Sequence, residues 1–218
     1  MTSSGPATKR RALRAVITAF ATVTIAAAAS YALTGRINPR PQPNPPPAPA
    51  TGSLEKLQAH PTLGARGPRY DILVDLECPY CNQFLSSRAY AAILALAHAD
   101  HAQLNVTAVA FLNERSVIKA AAYNCVASLA GPAAALQLLP DLKTPGGDTS
   151  AWNARAPALA AQYAPENDLR ACIADGGVQE RANDAFKATG ARGVPAVFVD
   201  GVETPWTELD PADHQGRP

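Results

Sequence analysis

Two cysteines separated by two residues, Cys78 and Cys81, are the side chains in this sequence best suited to chemistry. The stretch Arg69–Glu77 (RYDILVDLE) has the composition of a β-strand, and Pro79 suits the first turn of a helix, where a missing N–H costs nothing. A cysteine at the start of a helix faces unpaired N–H groups and the positive end of the helix dipole, which stabilise a thiolate. The thiolate is the reactive species in disulfide exchange, so the pattern predicts Cys78 as an exposed nucleophile and Cys81 as a buried resolving thiol.

Other roles for this cysteine pair stay open on the residues alone. The pair could form a purely structural disulfide, in which case the protein would be a non-catalytic binding module, or it could be two inert buried thiols. It could also be half of a zinc site with His98 and His101, but the intervening 16 and 2 residues lie outside the spacings of about 12–15 and 3–5 residues typical of zinc fingers. We therefore expect no metal site.

The elements around the pair predict an α/β domain over residues 53–218. A helix is expected from Cys81 to Ala99, then a strand over Leu104–Leu112, and later a strand over Val194–Val199 that turns at Asp200-Gly201. Helices are expected between the last two strands at 117–130, with Ser116 as its cap, and at 151–162, 165–174 and 178–189. This order places a helical insertion at about 115–190.

The first 52 residues differ in composition from the rest. A basic segment, residues 1–14, precedes an uncharged apolar stretch at 15–34, and residues 35–52 form a proline-rich linker. Positive charge on one flank predicts a cytoplasmic N-terminus, and the apolar stretch is either a transmembrane signal anchor or a cleaved signal peptide. We expect an extracytoplasmic domain on a single-pass membrane protein, or a secreted one if the signal is cleaved.

Charge argues against a nucleic-acid partner. The 19 Lys and Arg and 18 Asp and Glu nearly balance, but the residues from Glu55 onward carry 13 basic and 18 acidic side chains. A mildly acidic domain without a basic stripe lacks the clustered positive charge that binds the phosphate backbone of a nucleic acid.

Two segments of the sequence resemble the DsbA-like branch of the thioredoxin superfamily, most of all its actinobacterial exported members. They are Asp75–Cys81 (DLECPYC) and Gly193–Gly201 (GVPAVFVDG). The resemblance implies a thioredoxin-like fold interrupted by a helical subdomain. It implies a protein disulfide oxidoreductase without a cofactor, in which Cys78 and Cys81 are the redox pair.

The same resemblance assigns further residues. The proline matching Pro195 is cis and faces the active cysteines, and the residue matching Val194 pairs its backbone with the substrate; Pro79 and Tyr80 complete the expected substrate-binding set. Some exported members tie their helical subdomain with a disulfide, which we expect here between Cys125 and Cys172, with buried core thiols or a second redox pair as alternatives.

Two positions depart from the family pattern. Many members carry an acidic residue six positions before the first cysteine, where this chain has Ile72. Asp75 and Glu77 are the alternative candidates for the proton acceptor. We nevertheless expect these two carboxylates, and Asp71 on the same strand face, to be solvated. Strongly oxidising members have a histidine at the position of Tyr80, so we expect a less extreme reduction potential.

The implied partners follow from the chemistry. Reduced exported proteins would be the substrates, and a membrane reoxidase of the VKOR-like or DsbB-like kind would restore the disulfide. The opposite direction, an extracytoplasmic reductase or isomerase, stays open, because the sequence does not give the reduction potential.

Overall fold

The computed structural model describes residues 61–143 and 146–209. The predicted basic segment, apolar stretch and proline-rich linker lie outside these ranges. Within them, every helix is too short or too polar to cross a bilayer.

A four-stranded mixed sheet forms the centre of the described domain. Its strands are β1 (Arg69–Val74), β2 (Gln103–Ala108), β3 (Ala196–Val199) and β4 (Val202–Glu203), in the order β2-β1-β3-β4. β1 is parallel to β2 and antiparallel to β3, and β4 is antiparallel to β3. β1 is buried along almost its whole length, so its carboxyl end is a rigid point from which a functional residue can be presented.

The β3–β4 connection is the predicted hairpin turn. Asp200 and Gly201 have φ values of 50° and 83°, and two consecutive positive φ angles are what a two-residue turn of the I′ type requires. The carboxylate of Asp200 also accepts a hydrogen bond from the backbone N–H of Arg69 at 2.8 Å. The turn thereby fixes the start of β1 against the end of β3.

Two helices, α1 (Pro79–Leu85) and α2 (Arg88–His98), connect β1 to β2. The prediction of one continuous helix is wrong at Ser86 and Ser87. The backbone N–H of Ser86 bonds back to α1, whereas the hydroxyl of Ser87 accepts a hydrogen bond from the N–H of Tyr90 at 3.2 Å and starts a new helix. The helix that follows Cys78, α1, is therefore a short element that is separate from α2.

In the described ranges five helices lie between β2 and β3, one more than the four expected in the insertion. They are α3 (Glu114–Ala130), α4 (Pro132–Leu142), α5 (Thr149–Ala160), α6 (Glu166–Asp175) and α7 (Gly177–Thr189). α3 is the central one, because it packs against each of the other four. The buried face of α3 is rich in alanine, which lets these neighbours approach closely.

Two details of the insertion differ from the sequence prediction. α3 begins two residues before Ser116, because the side chain of Asn113 caps it by accepting from the N–H of Ser116 at 3.1 Å. α4 was not predicted: Gly131, with φ 87°, ends α3, and Pro132 opens the next helix at once.

A disulfide joins Cys125 on α3 to Cys172 on α6, with 5.9 Å between their Cα atoms. The separation of the Cα atoms lies in the range usual for disulfides. Since α3 also carries side chains that bond Asp75 and Glu77, just before the cysteine pair, the bond ties the insertion together around the element that contacts this turn.

Candidate active site

Cys78 lies in the turn between β1 and α1, at the N-cap of α1. Its backbone N–H donates to the carbonyl of Asp75 at 3.0 Å, which closes that turn. Cys78 is 7% exposed and Cys81, one turn further on, is fully buried. Cys78 is thus the more accessible of the two, but the expectation of an exposed side chain is wrong, because a second segment of the chain covers it.

That covering segment is the peptide before β3. The Val194–Pro195 bond is cis, and the thiol of Cys78 donates to the carbonyl of Val194 over 3.7 Å. Residues 116 positions apart in sequence are therefore in contact. The structure brings together four of the residues assigned from sequence, Cys78, Cys81, Val194 and Pro195, at one end of the sheet.

The other two assigned residues, Pro79 and Tyr80, lie on the first turn of α1 and face outward. Tyr80 is 67% exposed although it is a large aromatic side chain. Exposed apolar side chains also lie on neighbouring segments at Phe111, Leu112 and Val117. Phe111 stacks against Phe186, with 5.2 Å between the ring centroids.

Burial governs the chemistry of Cys81. Loss of contact with water raises the pKa of its thiol well above the ordinary value, and the negative charges that Cys78 and Asp75 carry when ionised raise it further. A hydrogen bond from the Asp75 backbone opposes these effects without cancelling them. Cys81 is therefore held as a protonated thiol when the pair is reduced.

Asp75 is the anchor of the turn that presents Cys78. Its fully buried carboxylate accepts four hydrogen bonds: from the N–H of Glu77 at 2.9 Å, the hydroxyl of Ser116 at 2.8 Å, and the N–H groups of Phe111 and Leu112 at 3.2 and 3.3 Å. The carboxylate thus joins the turn to the segment after β2 and to α3. The expectation of a solvated charge is wrong here, because sequence alternation places the residue on a face without showing what covers that face.

Glu77, directly before Cys78, is also buried rather than solvated. Its carboxylate accepts hydrogen bonds from Lys119, from Nε of Arg115 at 2.9 Å and from the N–H of Gly146 at 3.3 Å. The ammonium of Lys119 is fully buried and lies 3.9 Å from the ring centroid of Trp152. Burial alone would raise the pKa of Glu77, but the hydrogen bonds from Lys119 and Arg115 outweigh it, so the pKa lies below its ordinary value.

The third carboxylate of the strand, Asp71, lies away from the cysteines on β1. It is buried as well, and it pairs with Arg69 at 2.9 Å and accepts from the amide of Asn105 at 3.0 Å. Solvation was expected here too and is wrong, since the two partners on β1 and β2 replace water. Asp71 contributes to the sheet rather than to the site.

Amide side chains from the insertion hold the segment after β2. Asn124 on α3 accepts from the N–H of Ala108 at 3.2 Å and donates to its carbonyl at 2.6 Å. Asn183 on α7 repeats the pattern on Ala110, at 2.9 and 3.3 Å. These amides take the place of a neighbouring strand and hold the chain that leads to the exposed Phe111.

The described chain is similar to several solved structures. Reduced DsbA from Mycobacterium tuberculosis superimposes with a TM-score of 0.54 and 24% identity, over 64% of this chain and 75% of that one. Oxidised BdbD from Bacillus subtilis gives a TM-score of 0.58 at 15% identity, over 70% of this chain and 88% of that one. The reduced disulfide bond oxidoreductase DsbG of M. tuberculosis gives 0.53 at 24% identity, over 64% and 71%. No protein-family model and no curated protein matches the chain.

The chain has the DsbA-type thioredoxin fold. The fold expected from the cysteine motif and the downstream proline motif is confirmed, including the helical insertion between β2 and β3.

Ile72, at the position where the resemblance led us to look for an acidic residue, is a fully buried apolar side chain in β1. The carboxylates of Asp75 and Glu77 are engaged by four and three donors, respectively, so neither is presented to Cys81 as an open acceptor. Their positions instead suit them to hold the Cys78 turn in place.

Sequence reasoning missed the partners of Glu77. Lys119, Arg115 and Gly146 come from the insertion, as does Trp152, which packs on Lys119, and no local motif marks them. One signal was present: Lys119 lies on the buried face of α3 beside a run of alanines, where an unpaired cation would be costly. A cation at such a position indicates a buried anionic partner, although the sequence does not say which one.

The low pKa of Glu77 predicts how its contribution to stability depends on pH. A carboxylate whose pKa is lowered by folding stabilises the native state above its unfolded value, and the effect is lost as the pH falls through the folded value. We expect Glu77→Gln to lower the free energy of unfolding by about 3 kcal/mol at pH 7, because it leaves Lys119 without its anion. The difference from wild type should shrink as the pH falls below about 4.

Guanidinium unfolding of both proteins between pH 7 and pH 3 would measure this difference. Asp184→Asn, which removes the carboxylate of an exposed pair with Lys187, is the matched control and should change little at any pH. A Glu77→Gln penalty that stays constant down to pH 3 would contradict the charged-pair description.

Proposed function

We propose that this protein is a thiol–disulfide oxidoreductase that forms disulfides in exported proteins through Cys78 and Cys81. The observation that carries the proposal is the contact between the thiol of Cys78 and the carbonyl of Val194 at the cis Val194–Pro195 peptide, with Cys81 buried behind it. A sulfur with slight access to solvent beside this cis peptide is placed to exchange with the thiol of an extended substrate peptide.

The reaction follows from this arrangement. A thiolate of the substrate attacks the sulfur of Cys78 in the oxidised pair, the Cys78–Cys81 bond breaks, and Cys81 leaves and takes up a proton. A second thiolate of the substrate then attacks the substrate sulfur of the mixed disulfide and expels Cys78 as a thiolate. The substrate loses two electrons and gains a disulfide, and the pair is left reduced.

The difference between the two cysteines supports this assignment of roles. The raised pKa of Cys81 means that, once it has left, it takes up a proton and stays a thiol, so it does not compete as a thiolate for the mixed disulfide. Cys78 is the less buried of the two cysteines, and Tyr80 and Phe111 offer exposed apolar contacts to an unfolded polypeptide. We further propose that backbone groups of Val194 bind the substrate chain and that Pro79 and Tyr80 border the same site.

Export and reoxidation belong to the same proposal. The basic and apolar segments at the N-terminus support an extracytoplasmic location, with the domain anchored to the membrane or released from it. A membrane reoxidase of the VKOR-like or DsbB-like kind would accept the two electrons and restore the Cys78–Cys81 disulfide.

The reduction potential of the Cys78–Cys81 couple tests the direction of electron flow. We expect a value between about −120 and −180 mV for the full-length chain in detergent, measured by equilibration with glutathione. That range would support the oxidase. A value near about −270 mV, which is typical of thioredoxin, would overturn it in favour of a reductase.

A further inference from the structure

The buried charges next to Cys78 have no role in the reaction steps above. Glu77 is bonded to Cys78 in the chain, and its carboxylate is held by two cations, Lys119 and Arg115. One anion and two cations give this cluster a net charge of +1 next to the residue that carries the reacting sulfur, and the buried Asp75 carboxylate lies outside the cluster as a separate charge. Lys119 is fully buried and Arg115 is one-quarter exposed, so water screens these charges less than it screens a surface pair.

The insertion keeps these charges in fixed positions. Arg115 and Lys119 are one turn apart on α3, and the Trp152 ring packs against the Lys119 ammonium. The indole N–H of Trp152 donates to the carbonyl of Gly146 at 3.0 Å, and the N–H of Gly146 donates to Glu77. The carboxylate is therefore surrounded by groups from two elements of the insertion and has no room to reorient.

The two oxidation states of the cysteine pair differ in charge. Reduction adds two electrons to the disulfide, and whenever Cys78 is a thiolate only one proton accompanies them, so the reduced pair carries one negative charge. A fixed positive charge nearby favours the reduced pair, and a fixed negative charge favours the disulfide. The Glu77 cluster is placed to act on this balance.

On this basis, which rests on the function proposed above, we infer that Glu77, Lys119 and Arg115 are positioning residues that set the reduction potential of the Cys78–Cys81 couple. The two cations make the pair more oxidising, and the anion limits that effect. The oxidising strength of the site is thus determined partly by the helical insertion and not only by the residues between the cysteines.

The test relies on shifts of opposite sign in the equilibrium constant for reduction of the Cys78–Cys81 pair. The full-length wild type and each variant are equilibrated with glutathione, in which two glutathione thiols reduce the disulfide and yield one glutathione disulfide. Lys119→Met should lower the equilibrium constant for reduction of the pair about threefold to tenfold, and Glu77→Gln should raise it by a similar factor. A tenfold change corresponds to about 30 mV for this two-electron couple.

Two further variants keep the test decisive. Glu77→Gln/Lys119→Met restores the net charge of +1 and should return the constant close to the wild-type value. Arg115→Met removes the more exposed cation and should change the constant in the same direction as Lys119→Met, which covers the case that Lys119→Met does not fold. Lys187→Met, at an exposed pair on α7, is the charge-matched control and should leave the constant unchanged.

The outcomes separate this inference from the proposed function. If the wild-type pair does not exchange with glutathione at all, both are overturned. If the wild type exchanges but the cation and anion variants shift the constant in the same direction, or not at all, the inference about the cluster is overturned while the oxidoreductase stands. General loosening of the fold would not produce shifts of opposite sign.

Discussion

Cys81→Ala is expected to convert the protein into a trap for its substrate. Attack by a substrate thiolate on an activated Cys78 forms the mixed disulfide, and without Cys81 no protein thiol remains to attack that bond from within the site. Fully buried directly behind Cys78, Cys81 is the group placed to release bound substrate by closing the ring. We expect a 1:1 covalent complex with a reduced peptide that carries a single cysteine, visible on a non-reducing gel and by intact mass, when Cys78 is first activated with glutathione disulfide. A peptide with two cysteines would instead resolve the mixed disulfide with its own second thiol.

Cys78→Ala is the partner experiment and should abolish the reaction. Catalysed oxidation of a reduced two-cysteine peptide by this variant is expected to fall to the uncatalysed rate, because the remaining Cys81 is buried and its pKa is raised by that burial. Cys78→Ser is the closer control in size and should behave in the same way. If Cys78→Ala retained exchange, Cys78 would not be the nucleophile. If Cys81→Ala formed no complex and the wild type oxidised no peptide, the pair would be structural and the protein a binding module.

Sequence alone was sufficient for the core of the site because its signals are local or highly specific. A strand, two cysteines two residues apart and a helix-starting proline fix the position of Cys78 relative to the sheet without reference to the rest of the chain. The motif around Pro195 is similarly compact. Their contact across 116 residues came from the family resemblance and not from periodicity.

The errors at Asp75 and Glu77 have a different origin. The strand predicted over Arg69–Glu77 ends at Val74, so both carboxylates lie in the turn after β1, where burial depends on which distant residues cover them. Here the cover is α3, which brings Ser116 to Asp75 and Lys119 to Glu77. Such pairings depend on how the insertion packs on the sheet. The sequence of the predicted strand, Arg69–Glu77, does not show which distant residues will pair with its carboxylates.

Two helix boundaries were predicted wrongly for a related reason, because the same residue type can either begin or end a helix, or can have another partner. Gly131-Pro132 is a good end for α3, and the same proline is an equally good start for α4. Ser116 looks like a cap, but Asn113 takes that position and leaves the Ser116 hydroxyl for Asp75. In both places the competing choice is decided by tertiary contacts.

Removing the Cys125–Cys172 disulfide is expected to have the largest effect on stability. The bond closes a loop of 47 positions within the insertion. In the chain-entropy model, closing a loop of this length lowers the conformational entropy of the unfolded chain and so stabilises the native state by about 4 kcal/mol. Cys125→Ala/Cys172→Ala should therefore lower the free energy of unfolding by about that amount. Denaturant unfolding of the double variant and of the wild type measures this difference in the free energy of unfolding. The Cys78–Cys81 disulfide is kept oxidised in both proteins.

The same bond could instead be a second redox pair, and its surroundings argue against that role. Cys125 is almost completely buried on α3, and Cys172 is partly covered on α6, so a thiolate from a substrate has little access to either sulfur. In a glutathione buffer that fully reduces Cys78–Cys81, we expect the Cys125–Cys172 bond to stay intact, as judged by alkylation and peptide mass. Reduction of both pairs at the same potential would contradict a structural role. If the bond persists, it holds α3 in the position from which Ser116 and Lys119 reach the active-site turn.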